Sequence, residues 1–240
     1  MEDKTNLAEV GGRELKKRIR EMLATVSGMN EVFSTIAAIP ARQVINPLFA
    51  SFYDKSPLVK WRAVAAMGRV VSRLADHDLE SARIVMRRLM WNLNDESGGI
   101  GWGSPEAMGE IMAQHPKLAG EYTRMLVSYI QVDQNFLEHE ALQRGAIWAL
   151  GRLSQTRPEL VAHSAPELRR FLSSPDAFHR GYAAWALGNL KNRAAAPGIG
   201  QLKNDPVKID IFRNLELYTT TVGALAEEAL ALIINGERSC

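Results

Sequence analysis

"KWRAVAAMGRV" (60–70), "QRGAIWALGRL" (143–153) and "HRGYAAWALGNL" (179–190) are three versions of one phrase. Each carries an Ala-rich apolar run into a glycine: Gly68, Gly151 and Gly188. "SPEAMGEI" (104–111) supplies a fourth version with Gly109, and "TTVGALAEEAL" (220–230) a weaker fifth with Gly223. In chain order these glycines are spaced 41, 42, 37 and 35 residues apart. Helical patterning that recurs at such a period means stacked helix pairs, because no single pair can bury its apolar face alone.

Each period divides into two helices. The first members are expected near 41–53, 78–93, 117–130, 158–172 and 194–203, and the second near 57–75, 104–114, 137–156, 175–192 and 219–235. "DKSP" and "SSPD" mark joints within a pair, where Pro sits at the start of a helix and its missing N–H costs nothing. "HPKL", "RPEL" and "APGI" separate one repeat from the next. A helical pair at roughly 12–38 caps the stack. The one stretch out of pattern is "VKIDIFRNLELY" (207–218), which reads as an irregular or β-like excursion inside the last repeat. The expectation is an all-α superhelix of about five helix pairs in one domain spanning 1–240, with a cap at 1–40, repeats over 41–235 and a tail at 236–240.

"RAVAAMGRV", "RGAIWALGRL" and "RGYAAWALGNL" resemble the HEAT-like repeats, in particular the type found in phycobilisome lyases. The resemblance runs from about 41 to 235; it is specific for the fold and poorly specific for activity. The window at 91–111 is similar to a block of a bacterial subset of such proteins, a likeness that brings no activity with it.

Counting from each repeat glycine as zero, positions −5, −1 and +2 are apolar or small in nearly every copy: Ala63, Met67 and Val70; Ser104, Met108 and Ile111; Ala146, Leu150 and Leu153; Ala183, Leu187 and Leu190. That i, i+4, i+7 stripe faces the core. Position −3 lies about 200° around the helix from −1, so the stripe −7, −3, +1 points away from it. It reads Trp61, Ala65, Arg69; Trp102, Glu106, Glu110; Arg144, Trp148, Arg152; Gly181, Trp185, Asn189. Four of the five tryptophans fall on it, and indole is seldom left on open solvent without reason. In HEAT-like solenoids the second helices line the concave side. The stripe is therefore expected to form a groove of aromatics interleaved with Arg and Glu. Packing between repeats is the competing use of these rings, above all for Trp148 and Trp185.

The turn "NDESGGIGWG" (94–103) is longer than its counterparts and rich in glycine. Ser104 is expected to cap the helix that follows, with Pro105 at its first position and Glu106 in its first turn. Three readings compete. The turn could plug one mouth of the groove. It could bind a ligand through Gly98, Gly99, Gly101 and Gly103 at a helix N-terminus. Asp95, Glu96, Glu106 and Glu110 argue against phosphate there and for a cation, a metal on oxygen ligands, or a buried ion pair with Arg144. Third, the chain is loosely similar to HEAT-like DNA alkylpurine glycosylases. That likeness implies Trp102 with Trp148 or Trp185 around an alkylated base, Glu106 as the catalytic carboxylate, and Arg144 or Arg152 on phosphate. Their tandem-tryptophan and Asp pattern is absent.

Composition narrows the field. Net charge is +2 from 29 basic and 27 acidic side chains, too balanced for a protein that lives on nucleic acid. Hydrophobic residues at 46% and charged residues at 23% describe a folded globular chain. The single cysteine, Cys240, excludes intrachain disulfides and Cys-based zinc sites. No apolar run approaches the roughly 18 residues a membrane span needs. A cytoplasmic protein with no cofactor and no membrane partner is expected. "RELKKRIR" (13–20) reads as a solvated basic face, and His139 and His179 as surface histidines on neighbouring repeats. The favoured function is a non-enzymatic module that binds a protein or peptide in its groove. The alternatives are a base-lesion enzyme or a chromophore- or small-ligand-binding relative of the lyases.

Overall fold

The computed structural model describes residues 11–93 and 101–237. Its helices are α1 (Gly12–Thr25), α2 (Met29–Ala37), α3 (Ala41–Ser51), α4 (Pro57–His77), α5 (Leu79–Leu93), α6 (Ser104–Gln114), α7 (Pro116–Ser128), α8 (Glu140–Thr156), α9 (Pro158–Val161), α10 (Ala165–Arg170), α11 (Ala177–Asn189), α12 (Ala196–Gln201) and α13 (Val222–Glu237). An antiparallel hairpin, β1 (Lys208–Arg213) and β2 (Glu216–Thr221), interrupts the series before α13. No described helix is long and apolar enough to cross a membrane.

The second helices α4, α6, α8, α11 and α13 stand side by side as one layer, each packed on the next. The repeat glycines make the contact. A Cβ on Gly109 would lie 2.7 Å from the Cα of Ala149 in α8, and one on Gly188 would lie 2.5 Å from the Cα of Ala229 in α13. Gly68 meets Glu110 and Gly151 meets the ring of Trp185 in the same way. The periodic glycine is therefore the spacer that lets successive inner helices touch. The −5, −1, +2 stripe is buried as expected, save Leu190 at the end of α11, which is half-buried.

First helices follow the expected positions as far as α7. The fourth and fifth are broken instead of continuous. α9 and α10 are joined by a 3-10 turn at Ala162–Ser164 and followed by another at Phe171–Ser173, and α12 follows a 3-10 turn at Arg193–Ala195. Pro158, Pro166 and Pro197 restart the chain at the N-terminal turn of each short piece, since none can donate to a preceding turn.

The hairpin is the β-like excursion, and its seat is the feature that matters for function. It lies on the inner layer and bridges its two ends. Ile209 fills the space beside Gly181 and Leu225, while Phe212 stacks on Trp61 of α4 at 5.4 Å and 4°. Two groove side chains hold its backbone: Trp148 Nε1 donates to the Phe212 carbonyl (2.9 Å) and Tyr182 Oη to the Asp210 carbonyl (2.7 Å). These alternate carbonyls share the edge of β1 that faces the helices.

Asn214 and Leu215 make the two-residue turn with φ of 56° and 66°. That conformation suits Asn followed by Gly; a leucine in it is strained by about 1–2 kcal/mol. Leu215→Gly is therefore expected to stabilise the protein by about 1 kcal/mol, read as a rise of roughly 2–4 °C in Tm.

Candidate functional site

The groove stripe divides into a sealed part and an open part. Trp148 is 1% exposed, Trp185 3% and Trp61 7%. Trp61 and Trp148 touch at 4.6 Å between ring centroids, and Trp148 and Trp185 at 6.3 Å. The expectation of a groove lined by accessible indoles is corrected here: the hairpin meets Trp61 and Trp148, and Trp185 is buried beside Trp148 and against Gly151. The sequence could not place the hairpin there, because the contact joins positions 61 and 148 to 212. Asn189 donates to the Gly151 carbonyl and to Ser154 Oγ, tying two repeats together. Arg69 lies over the ring of Phe33 on α2.

Trp102, Glu106 and Arg144, with the near side of Trp61, line a cavity of about 250 Å³ at the N-terminal ends of α4, α6, α8 and α11. Trp61, Trp102, Phe178 and Tyr182 give its aromatic walls; Lys60, Glu106, Arg144, Asp54 and Asp210 give its charges, with Lys55 exposed at the mouth. Trp102 is half-buried and meets the ring of His139 edge-on at 5.0 Å. His139 caps α8 by accepting from the Ala141 N–H, so it serves that helix start.

Glu106 is the buried charge of this site, its side chain 4% exposed. Oε1 accepts from Lys60 Nζ at 2.7 Å, while Oε2 has no hydrogen-bond partner among the described residues. Oε2 rests against Gly145, where a Cβ would come within 2.5 Å of it; only glycine leaves room for the carboxylate. The expected ion pair with Arg144 does not form. Arg144 pairs with Asp176 (Nε to Oδ2, 2.7 Å) and lies over the Phe178 ring at 4.7 Å. Glu110 is likewise committed, to Arg152 at 2.8 Å. Among the described residues no group of three or more His, Cys, Asp or Glu is placed to hold a metal ion. Asp95, Glu96, Gly98 and Gly99 lie outside the described residues.

Gly101 and Gly103 start α6 differently from expectation. Gly103, not Ser104, is the N-cap, with φ of 75°. The Phe52 ring lies 2.8 Å from where its Cβ would be, so both backbone and packing require glycine. Ser104 is drawn into the core, its Oγ buried and without a partner among the described residues.

Asp176, Arg144 and His179 form the electrostatic shoulder of the cavity. Asp176 caps α11, accepting from the Phe178 and His179 N–H groups. Burial pushes its carboxyl up, but the Arg144 hydrogen bond, His179 and the cap bond outweigh that and leave its pKa below the ordinary value. Burial pushes the His179 pKa down, only partly offset by Asp176. The folded protein thus holds His179 neutral where the unfolded chain would protonate it. The stability this contributes is fully present above the ordinary pKa of 6.5 and is lost as pH falls from there through the folded value. Urea unfolding between pH 7.5 and 5 is expected to show stability declining with acidity, and His179→Phe is expected to flatten that decline.

Sequence reasoning found Trp102, Glu106 and Arg144 and missed Lys60, Phe178, Tyr182 and Asp210. Lys60 carries a usable signal: it sits in the first turn of its second helix, as Glu106 does in the next one. A larger hollow of about 640 Å³ lies at the hairpin tip, lined by Glu31, Arg62, Leu215 and Leu217 among others. None of the residues around it holds a buried unmatched polar atom, so it lacks the chemical demand seen at Glu106.

Residues 140–190 match the HEAT-like repeat family and 180–205 the PBS lyase HEAT-like repeat family. An uncharacterized protein of Archaeoglobus fulgidus is 26% identical over 182 residues, covering 75% of this chain and 92% of its own. Among solved structures, an engineered protein superposes with a TM-score of 0.57 at 16% identity, covering 98% of this chain and 100% of its own. A designed armadillo repeat protein in complex with the peptide (KR)4 superposes at 0.55 and 19%, covering 95% and 96%. At these identities the structural matches speak for the fold alone. Residues 140–205 thus match HEAT-like repeats, and the five inner helices stacked on periodic glycines carry the same repeat pattern along the described fold.

Proposed function

We propose that this protein is a non-enzymatic interaction module that binds a protein or peptide segment on its concave side, at the Trp102–Glu106 cavity. One observation carries the reading. Glu106 is buried among aromatic walls, and its Oε2 has no donor among the described residues. An acceptor left unmatched in a dry place costs about 1–3 kcal/mol, more when it is charged, and a bound donor recovers that cost. Aromatic walls around a charged floor are the residue types that anchor binding hot spots. The hairpin fills the middle of the concave face, so a partner presents a protruding side chain to the cavity instead of laying an extended chain along the whole layer. The structural match to a designed armadillo protein with a bound peptide supports a partner of this general kind.

The test is selection from a displayed library of random linear peptides, followed by affinity measurement on Trp102→Ala. Selected peptides are expected to lose at least tenfold in affinity under conditions where the variant remains folded. Peptides indifferent to Trp102 would place binding elsewhere and sink the reading.

A second reading is favoured by one arrangement, Trp102 just before α6 and Glu106 in its first turn, both lining the same cavity. This is the pairing that the resemblance to base-lesion glycosylases implies, with Glu106 stabilising a developing sugar cation. Incubation with alkylated duplex DNA tests it: base release abolished by Glu106→Gln supports it, and no release above a blank excludes it. Binding that falls steeply with salt would accompany such an activity.

A further inference from the structure

We propose that the group bound in this cavity is an arginine side chain of the partner, read jointly by Glu106 and Asp210. The inference rests on the cavity being a partner site and names its occupant.

The demand inside the cavity is for a donor. Spare N–H groups of Lys60 and Arg144 reach solvent, because those side chains are 24% and 38% exposed. Glu106 Oε2 does not, so the unmet need is for hydrogen-bond donation. That excludes a carboxylate or phosphate as the group that completes the site.

The demand is also for positive charge. Lys60 answers Glu106, Arg144 answers Asp176, and Arg20 answers Asp54. Asp210 has no cationic partner among the described residues; the Thr219 hydroxyl donates to its Oδ1 at 2.6 Å. The exposed Lys55 remains in water at the rim. Asp210 and Glu106 line the same cavity, with Tyr182 between the helix layer and the hairpin donating to the Asp210 carbonyl. A single positive group with several donors can therefore address both.

Guanidinium fits better than ammonium. It is flat, its forked donors reach two acceptors in fixed directions, it is weakly hydrated, and it stacks on aromatic faces. The protein already uses this chemistry on its own walls, with Arg144 over Phe178 and Lys60 near Trp61 at 5.5 Å. Among the described residues neither Trp102 nor Tyr182 has a cation over its ring, and of the two Trp102 is half-buried while Tyr182 is buried. The volume of about 250 Å³ admits one such side chain and no folded element.

The experiment uses three small probes on the intact protein at low salt: N-acetyl-arginine N-methylamide, its lysine counterpart, and its citrulline counterpart, which keeps the shape and loses the charge. Binding is followed by the NMR signals of the indole N–H groups and backbone amides. The arginine probe is expected to saturate with millimolar affinity and to shift Trp102 and its neighbours. The citrulline probe is expected to bind at least tenfold more weakly, and lysine to fall between. Asp210→Asn, a half-buried site outside the helix layer, is expected to weaken the arginine probe about tenfold with the spectrum otherwise intact. Equal binding of arginine and citrulline, or an unaffected Asp210→Asn, overturns the assignment. Selected peptides that need Trp102 but carry no basic residue also overturn it, and leave the partner-site reading standing. Peptides that ignore Trp102 remove both.

Discussion

Gly109→Ala is expected to destabilise the protein by about 2 kcal/mol or more, although alanine is the better helix former by about 1 kcal/mol. The new Cβ would sit 2.5 Å from the Ala149 Cβ and 2.7 Å from its Cα. A backbone atom cannot turn aside as a side chain can, so α6 and α8 must separate and every contact along that seam loosens. For a chain of this size the change reads as a Tm drop of roughly 4–8 °C. The matched control is Gly120→Ala on α7, where nothing lies within 4 Å. There only propensity acts, and stability should rise by up to about 1 kcal/mol. Opposite signs for one chemical change at two helical positions would establish that the periodic glycines are spacers of the stack. Equal signs would mean that they are not.

The second large effect is expected at Phe212→Ala, with a loss of about 3–5 kcal/mol. The ring lost is the one stacked on Trp61, and the backbone carbonyl that Trp148 uses remains in place. The prediction has an optical side as well. If the hairpin is what seals Trp61 and Trp148, acrylamide quenching of tryptophan fluorescence should increase in the variant under conditions where it stays folded. Unchanged quenching with an intact fold would mean that the inner helices close over the rings by themselves.

These two residues also mark where the sequence was legible and where it was not. Gly109 could be read because a solenoid repeats one contact: the same glycine recurs in each inner helix, and the buried stripe at −5, −1 and +2 follows from helical geometry. Phe212 could not. Its partners are 151 and 64 positions away, at Trp61 and Trp148. Periodicity records what neighbouring repeats share and is blind to a segment that breaks the period and crosses the layer. Residues 207–218 were conspicuous only as an interruption, and nothing in them told on which face they would lie. The same blindness hid Asp210 from the site and made Trp61, Trp148 and Trp185 look available. An ion pair of Arg144 with the carboxylates around the 94–103 turn is one of the readings the sequence offers; Arg144 meets Asp176 instead, which belongs to the joint before α11 and not to the stripe. Gly103 displaced Ser104 as the cap because Phe52, in another repeat, fills the space beside it.

The functional account stands on the Trp102–Glu106 cavity as the place where a partner is gripped, and the measurement that bears on it most directly is the affinity of a library-selected peptide for the native protein, Trp102→Ala and Trp185→Phe in parallel. The half-buried ring at the cavity should matter and the sealed ring should not: at least a tenfold loss is expected for Trp102→Ala and less than a twofold change for Trp185→Phe, with both variants folded. Equal affinities for the native protein and Trp102→Ala would contradict the account.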